Sequence, residues 1–155
     1  MSSLHHFVSK NARFFEVVYN IFEPIVRALG PLWRGIGFGR IEKLFTKMEL
    51  WTKVPLFGCQ MCGQCILSST GMSCSMNCPK EIRNGPCGGV NSDGTCEVIP
   101  TMRCVWVEAW NGSQKMKGGE KINELQPPID HRIQGTSSWL RHLQDTMAQK
   151  DTDLT

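Results

Sequence analysis

The chain reads CQMCGQCILSSTGMSCSMNCPKEIRNGPCGGVNSDGTCEVIPTMRC from residue 59 to residue 104, and this stretch holds every cysteine of the protein. The eight cysteines are Cys59, Cys62, Cys65, Cys74, Cys78, Cys87, Cys96 and Cys104. The block is rich in Gly, Asn, Ser and Pro and poor in apolar residues, so it cannot build a conventional hydrophobic core. Its thiols must therefore form disulfides or bind metal, and bound metal would supply folding energy that burial does not.

The spacing of the first three cysteines favours an iron–sulfur site. They follow C-x2-C-x2-C, as in bacterial ferredoxin runs, and Cys78-Pro79 repeats the Cys-Pro ending of such runs. Structural zinc takes four ligands, usually two C-x2-C pairs or histidine. This chain has no second C-x2-C pair, and its four histidines lie outside the block. Eight thiolates match two 4Fe–4S clusters, and zinc remains the alternative.

Several features predict that the chain acts inside the cell. The start MSSLHHFVSKNARFF lacks the basic, apolar and small-residue segments of a secretory signal. No run approaches the roughly 18 apolar residues of a membrane span. A cytoplasmic location is therefore predicted. Because thiols are kept reduced there, disulfides are the least favoured use of the cysteines.

Length and charge exclude several classes of protein. The 155 residues carry a net charge of +3, without the concentrated basic stripe of a nucleic-acid-binding protein. The chain has neither a G-x-G-x-x-G motif nor a P-loop, and it is too short for a (β/α)₈ barrel of about 250 residues. Nothing in it is suited to bind a flavin or a pterin. These observations predict a non-catalytic subunit.

The sequence divides into three zones. Residues 1–55 are apolar and helical and are predicted to form a docking arm, 56–110 form the cysteine-rich metal or iron–sulfur domain, and 111–155 form a connector and a C-terminal helix. The predicted fold class is a small α plus irregular domain stabilised by metal. In it, N-terminal apolar helices and a short C-terminal helix flank a loop-rich cluster-binding core.

The first predicted helix has one polar strip on a mostly apolar surface. Its members recur at spacings of three and four and are Arg13, Glu16, Asn20, Glu23 and Arg27. Because the apolar arc is too wide for a helix with one side in water, we expect it to contact a partner protein, through residues that include Phe15 and Phe22. Packing within this chain and binding to a membrane surface are the alternatives.

Local patterns predict the remaining elements. They are a helix at about 40–51, a loop at 35–39, a tight turn at 91–94, a short strand at 105–107 and an exposed connector at 111–128. Ser137 or Ser138 is predicted to cap a last helix that starts near Trp139.

Residues around the cysteines can adapt the block to a cluster. Backbone N–H groups that can approach a cluster sulfur belong to Gly63, Gly85, Gly88 and Gly89. Side chains that can offset cluster charge are Lys80, Arg83 and Arg103. Trp106 either covers a cluster or is an ordinary core residue. The acids Glu81, Glu97 and Glu108 are interpreted as surface or charge-balancing residues, not catalytic ones.

Residues 56–110 closely resemble a known family. The motifs CPK-x-x-RNGPCGG, G-x-CEV and C-V-W-V, together with Thr136-Ser137-Ser138-Trp139, are similar to the cysteine-rich C-terminal domain of methylenetetrahydrofolate reductases. That domain occurs behind the catalytic barrel or as a separate small iron–sulfur "V" subunit.

The resemblance implies a function and partners. It implies an electron-transfer subunit that passes electrons to FAD or FMN on a barrel-shaped reductase, which reduces the methylene group of methylenetetrahydrofolate to methyl. An electron donor such as ferredoxin or an NADH-oxidising subunit would complete the system. The alternative is a docking subunit in which zinc or an inert cluster only stabilises the flavoprotein.

Overall fold

The computed structural model describes residues 3–152, and this part of the chain is mostly helical. Its α-helices are α1 (Ser3–Lys10), α2 (Ala12–Ala28), α3 (Gly30–Ile36), α4 (Phe38–Phe57), α5 (Val105–Ser113) and α6 (Ser138–Thr152). Short 3-10 helices lie at Ser75–Asn77, Gly119–Asn123 and His131–Ile133. Within residues 3–152, extended pairing consists of two isolated bridges, Val90 with Cys96 and Thr95 with Arg103. The predicted small helical fold with an irregular cysteine-rich segment is confirmed at this level. The outermost residues of the first and last predicted zones, 1–2 and 153–155, lie outside the described part.

The helices of the N-terminal zone are more continuous than predicted. The loop predicted at 35–39 is wrong, because α3 runs to Ile36 and α4 begins at Phe38. Only Gly37 separates them, with a φ of 91° that favours glycine. The helix predicted to end near residue 51 continues to Phe57, where Gly58 closes it in the left-handed conformation.

The orientation of α2 corrects the choice of interface residues. Phe15 packs inward, with its ring centroid 5.6 Å from that of Phe57, and Phe22 lies 4.7 Å from the ring of Trp139. Both therefore pack within this chain. The apolar side chains of α2 that do face outward are Phe14, Val17, Val18, Ile21 and Ile25.

Two buried apolar clusters hold the helices together. The first joins α1 and α2 to the cysteine-rich segment and contains Val8, Ala12, Leu67, Met72 and Met116. The second joins α4 to α6 and contains Ile41, Phe45, Leu140 and Leu143. The predicted connector is therefore not wholly exposed, since Met116 belongs to the first cluster.

The strand predicted at 105–107 is wrong, because these residues form the first turn of α5. Val105 and Trp106 are both buried there, and packing outweighs the β-propensity of a Val-Trp-Val run. The start of α6 is as predicted, with the Ser137 hydroxyl accepting the N–H of Leu140 at 3.1 Å. The predicted turn is also present, closed by a 2.9 Å bond from Gly94 N–H to the Asn91 carbonyl.

Among residues 3–152, every helix is too short or too polar to traverse a lipid bilayer.

Candidate metal centre

Four of the predicted ligands line one cavity. They are Cys59, Cys62, Cys65 and Cys74, which we call the first quartet. The chain enters this site from the end of α4, and positive φ angles at Met61 (50°) and Gly63 (73°) bend it around the cavity. A Cβ on Gly63 would meet the Ile133 carbonyl oxygen at 2.7 Å, so the close packing there requires glycine.

Burial strongly raises the pKa of two thiols of the first quartet. It raises the pKa of Cys59 to about 11, with smaller contributions from neighbouring cysteines. It raises the pKa of Cys74 to about 12 in the same way. Cys65, by contrast, is exposed. Cys59 and Cys74 therefore carry protons at neutral pH, and a bound metal would have to displace them.

Polar hydrogens approach two of the cysteine sulfurs. The N–H of Met61 lies 3.4 Å from Cys59 Sγ, and the N–H of Gly89 lies 3.4 Å from Cys87 Sγ. Gly89 thus donates to a cysteine sulfur, and its contact with a cluster stays a prediction. No bond to sulfur from the other three glycines occurs among the hydrogen bonds of the described residues. Lys80 Nζ also donates to Cys87 Sγ at 3.7 Å.

The four later cysteines pack in two small clusters that share a neighbour. Cys78 and Cys96 are buried together, while Cys104 is buried against Trp106, with Cys87 at the edge. Ile82 packs against both clusters, so these four residues, the second quartet, lie in one region. The structure therefore places the first four predicted ligands around one cavity and the last four in two adjoining apolar clusters.

All eight thiols are free, so the disulfide alternative finds no support. No group of three or more His, Cys, Asp or Glu side chains in the described range is placed to bind a single metal ion. A cubane cluster differs from a single ion in that each of its four thiolates binds a different iron.

Buried donors test whether the site fits an anionic cluster. Arg83 lines the cavity of the first quartet, and its Nη1 is buried without a hydrogen-bond partner in the described residues. Trp106 Nε1, beside the second quartet, is in the same situation. Buried donors are normally satisfied, so both need an acceptor that the protein itself does not supply. Sulfide and thiolate sulfurs of a cluster are acceptors of this kind, as are water molecules, and both donors also line one cavity that contains no cysteine.

A buried ion pair beside the first cavity was missed by sequence reasoning. Glu49 lines the cavity and accepts bonds from Lys53 Nζ and Trp139 N, both at 2.8 Å, and from the Ser137 and Ser138 hydroxyls. Burial alone would raise the pKa of Glu49, but Lys53 and these donors outweigh it and lower the pKa. The i, i+4 spacing of Glu49 and Lys53 was the available signal. The network fixes α6 against α4 at the edge of the cavity.

The three acids interpreted as surface or charge-balancing residues differ from one another. Glu81 is exposed, and Glu97 is exposed and paired with Lys80. Glu108 is fully buried, and it balances Arg103 through a 2.7 Å bond to Nε.

The comparisons with known proteins give one match. The family model described as methylene-tetrahydrofolate reductase C terminal matches residues 38–132, which include all eight cysteines and more than half of the chain. No curated protein and no solved structure matches the chain. The resemblance of the cysteine motifs is therefore confirmed: this chain belongs to the methylene-tetrahydrofolate reductase C-terminal family.

Proposed function

We propose that this chain is the iron–sulfur electron-transfer subunit of a methylenetetrahydrofolate reductase, of the small "V" subunit type. The observation that carries the proposal is the cavity lined by Cys59, Cys62, Cys65 and Cys74, with the unpartnered Arg83 donor beside it. Membership of the reductase C-terminal family supplies the enzyme system. The second quartet would hold a second cluster of the same kind.

This chain would transfer electrons, and its flavoprotein partner would reduce the folate. Clusters in both quartets would carry single electrons toward FAD or FMN on a barrel-shaped partner, where methylenetetrahydrofolate takes up two electrons and two protons to become methyltetrahydrofolate. The protein residues bind the cluster iron, donate N–H groups to sulfur and exclude water. Ferredoxin or an NADH-oxidising subunit would supply the electrons.

The outward apolar face of α2 supports the partner requirement. Phe14 is 63% exposed and Ile21 is 59% exposed, and with Val17, Val18 and Ile25 they form a continuous strip along one side of the helix. Contiguous apolar surface of this kind is typical of a protein–protein interface. We propose that this strip contacts the flavoprotein.

Metal content tests the proposal most directly. Anaerobically purified chain should be brown, with broad absorption near about 400 nm and about eight irons per chain. A colourless protein with stoichiometric zinc would support the structural alternative instead.

Activity measurements test the assignment as a subunit. The isolated chain should not reduce methylenetetrahydrofolate, because the proposed flavin belongs to the partner. Adding the flavoprotein should restore turnover. Folate-dependent turnover by the purified chain alone would overturn the subunit assignment.

A further inference from the structure

Arg83 is a buried cation, and its hydrogen-bond partners within residues 3–152 are neutral. The residue is 8% exposed, its Nε donates to the Pro127 carbonyl and its Nη2 to the Gln64 carbonyl, both at 2.8 Å. Its Nη1 has no partner among the described residues. A buried charge is costly to maintain unless an opposite charge compensates it, so this arrangement needs an explanation.

Arg83 lies between the first quartet and two neighbouring cavities that contain no cysteine. The side chain lines the cavity with Cys59, Cys62, Cys65 and Cys74. The carbonyl that it binds belongs to Gln64, between the second and third cysteines of the C-x2-C-x2-C run. Arg83 therefore both fixes the backbone of the ligand loop and brings a positive charge to the cavity wall.

The other cations near the cysteines are already compensated. Lys53, the second buried cation in the described range, pairs with Glu49 at 2.8 Å. Lys80 pairs with Glu97, and Arg103 with Glu108. No carboxylate lies within ion-pair distance of Arg83 in the part of the chain that the structure describes. The sequence offers Lys80, Arg83 and Arg103 to offset cluster charge. Of these three, Arg83 alone lacks a carboxylate partner within the described residues.

We propose that Arg83 donates a hydrogen bond and a positive charge to the iron–sulfur cluster held by the first quartet and raises its reduction potential. The proposal rests on the proposed function. Reduction adds one electron to the cluster and makes it more negative, so a cation held beside it stabilises the reduced form more than the oxidised form. Arg83 acts as a positioning residue, because it binds no iron itself.

Redox titration of the full chain, followed by EPR, tests the proposal. Replacing Arg83→Gln should shift the midpoint of one cluster to lower potential and leave the other in place, with iron content unchanged. Arg83→Lys, which keeps the charge, should give a smaller shift than Arg83→Gln. The control Arg132→Gln removes an exposed cation paired with Asp130 and should change neither midpoint.

A measurement on the unmodified chain tests the proposal even if the Arg83 variants fail to fold. With ¹⁵N-arginine incorporated, pulsed EPR of the reduced protein should detect a weak nitrogen coupling to one cluster, and Arg83→Lys should abolish that coupling. Iron-loaded protein with unchanged midpoints, or without the coupling, would overturn the role of Arg83 alone. A wild-type chain that holds zinc and no iron would overturn the proposed function as well.

Discussion

Glu16 Oε1 accepts the backbone N–H of Gly118 at 2.8 Å, across 102 residues of sequence. Its other oxygen accepts the N–H of Lys117 at the same distance. This buried carboxylate ties α2 to the segment after α5 and fixes the rotation of the helix about its axis. A residue of the predicted polar strip therefore faces inward, while Val17, Val18 and Ile21 face outward.

The outward strip of α2 should carry the contact with the flavoprotein. Phe14 and Ile21 lie seven residues apart on one face, and replacing Phe14→Glu and Ile21→Glu together should abolish co-purification with the partner. Burying unpaired charges costs several kcal/mol, which is of the order of the surplus that holds many interfaces together. Iron content should not change, because neither residue contacts the cysteines.

Leu125→Glu provides a matched control for this experiment. Leu125 is 87% exposed and lies away from α2 in sequence, so the variant should bind the partner normally. Wild-type binding by the α2 double variant would mean that another surface forms the interface.

The grouping of the cysteines predicts the outcome of combined substitutions. Cys62→Ser should lower the iron content from about eight to about four per chain, and Cys96→Ser should do the same, because each removes a ligand of one cluster. Joining Cys62→Ser with Cys74→Ser should lose no more iron than either alone, since both belong to the first quartet. Joining Cys62→Ser with Cys96→Ser should remove nearly all of it.

Iron analysis and EPR of the anaerobically purified variants measure this directly. Nearly complete iron loss in the Cys62→Ser, Cys74→Ser pair, with half retained in the other pair, would show that the ligands are grouped differently.

Sequence reasoning located features whose signal is local. The turn at 91–94 forms, and Ser137 caps α6, because each depends on backbone and side-chain groups within a few residues. The family was also identifiable, since the cysteine motifs are long and ordered. The division into quartets was not, because it depends on how loops without periodicity fold back on one another.

The errors came from contacts between distant segments. Val105–Val107 has strand propensity, but Glu108 is anchored by His6 and Ser9 on α1, about a hundred residues earlier, and the run is helical. Phe15 and Phe22 share the apolar surface of α2 with Phe14 and Ile21, and contacts with distant segments, the inward bonds of Glu16 among them, decide which pair is covered. Periodicity gives the composition of a helix face but not its partner.

Gly71 should be essential for the packing of α5 on the cysteine-rich segment. Its φ is 56°, and a Cβ there would overlap the Ala109 carbonyl and the Ser113 nitrogen. Gly71→Ala should therefore lower the free energy of unfolding by at least about 2 kcal/mol, from strain and steric overlap together. Chemical denaturation of protein with equal iron content measures the change.

Gly35→Ala is the corresponding control. It lies in α3, and an added Cβ would have no heavy atom within 4 Å. Because alanine is the better helix former, this variant should be at least as stable as wild type. Equal denaturation midpoints for the Gly71→Ala and Gly35→Ala variants would contradict the close packing at Gly71.

Glu108 should make the stability of the fold dependent on pH. Burial alone would raise its pKa, but hydrogen bonds from Ser9, His6 and Arg103 outweigh burial and hold the pKa below the ordinary value. A lowered folded-state pKa contributes stability that is fully present above the unfolded-state pKa and is lost as the pH falls through the folded-state value. Glu108→Gln should therefore cost roughly 2 kcal/mol at pH 7, and the difference from wild type should shrink as the pH falls below about 4.5. Thermal melts across this range, compared at equal iron content, measure the effect, and Glu120→Gln, at an exposed position, should follow wild type throughout. A constant difference at every pH would show that the loss comes from packing and not from the charge of Glu108.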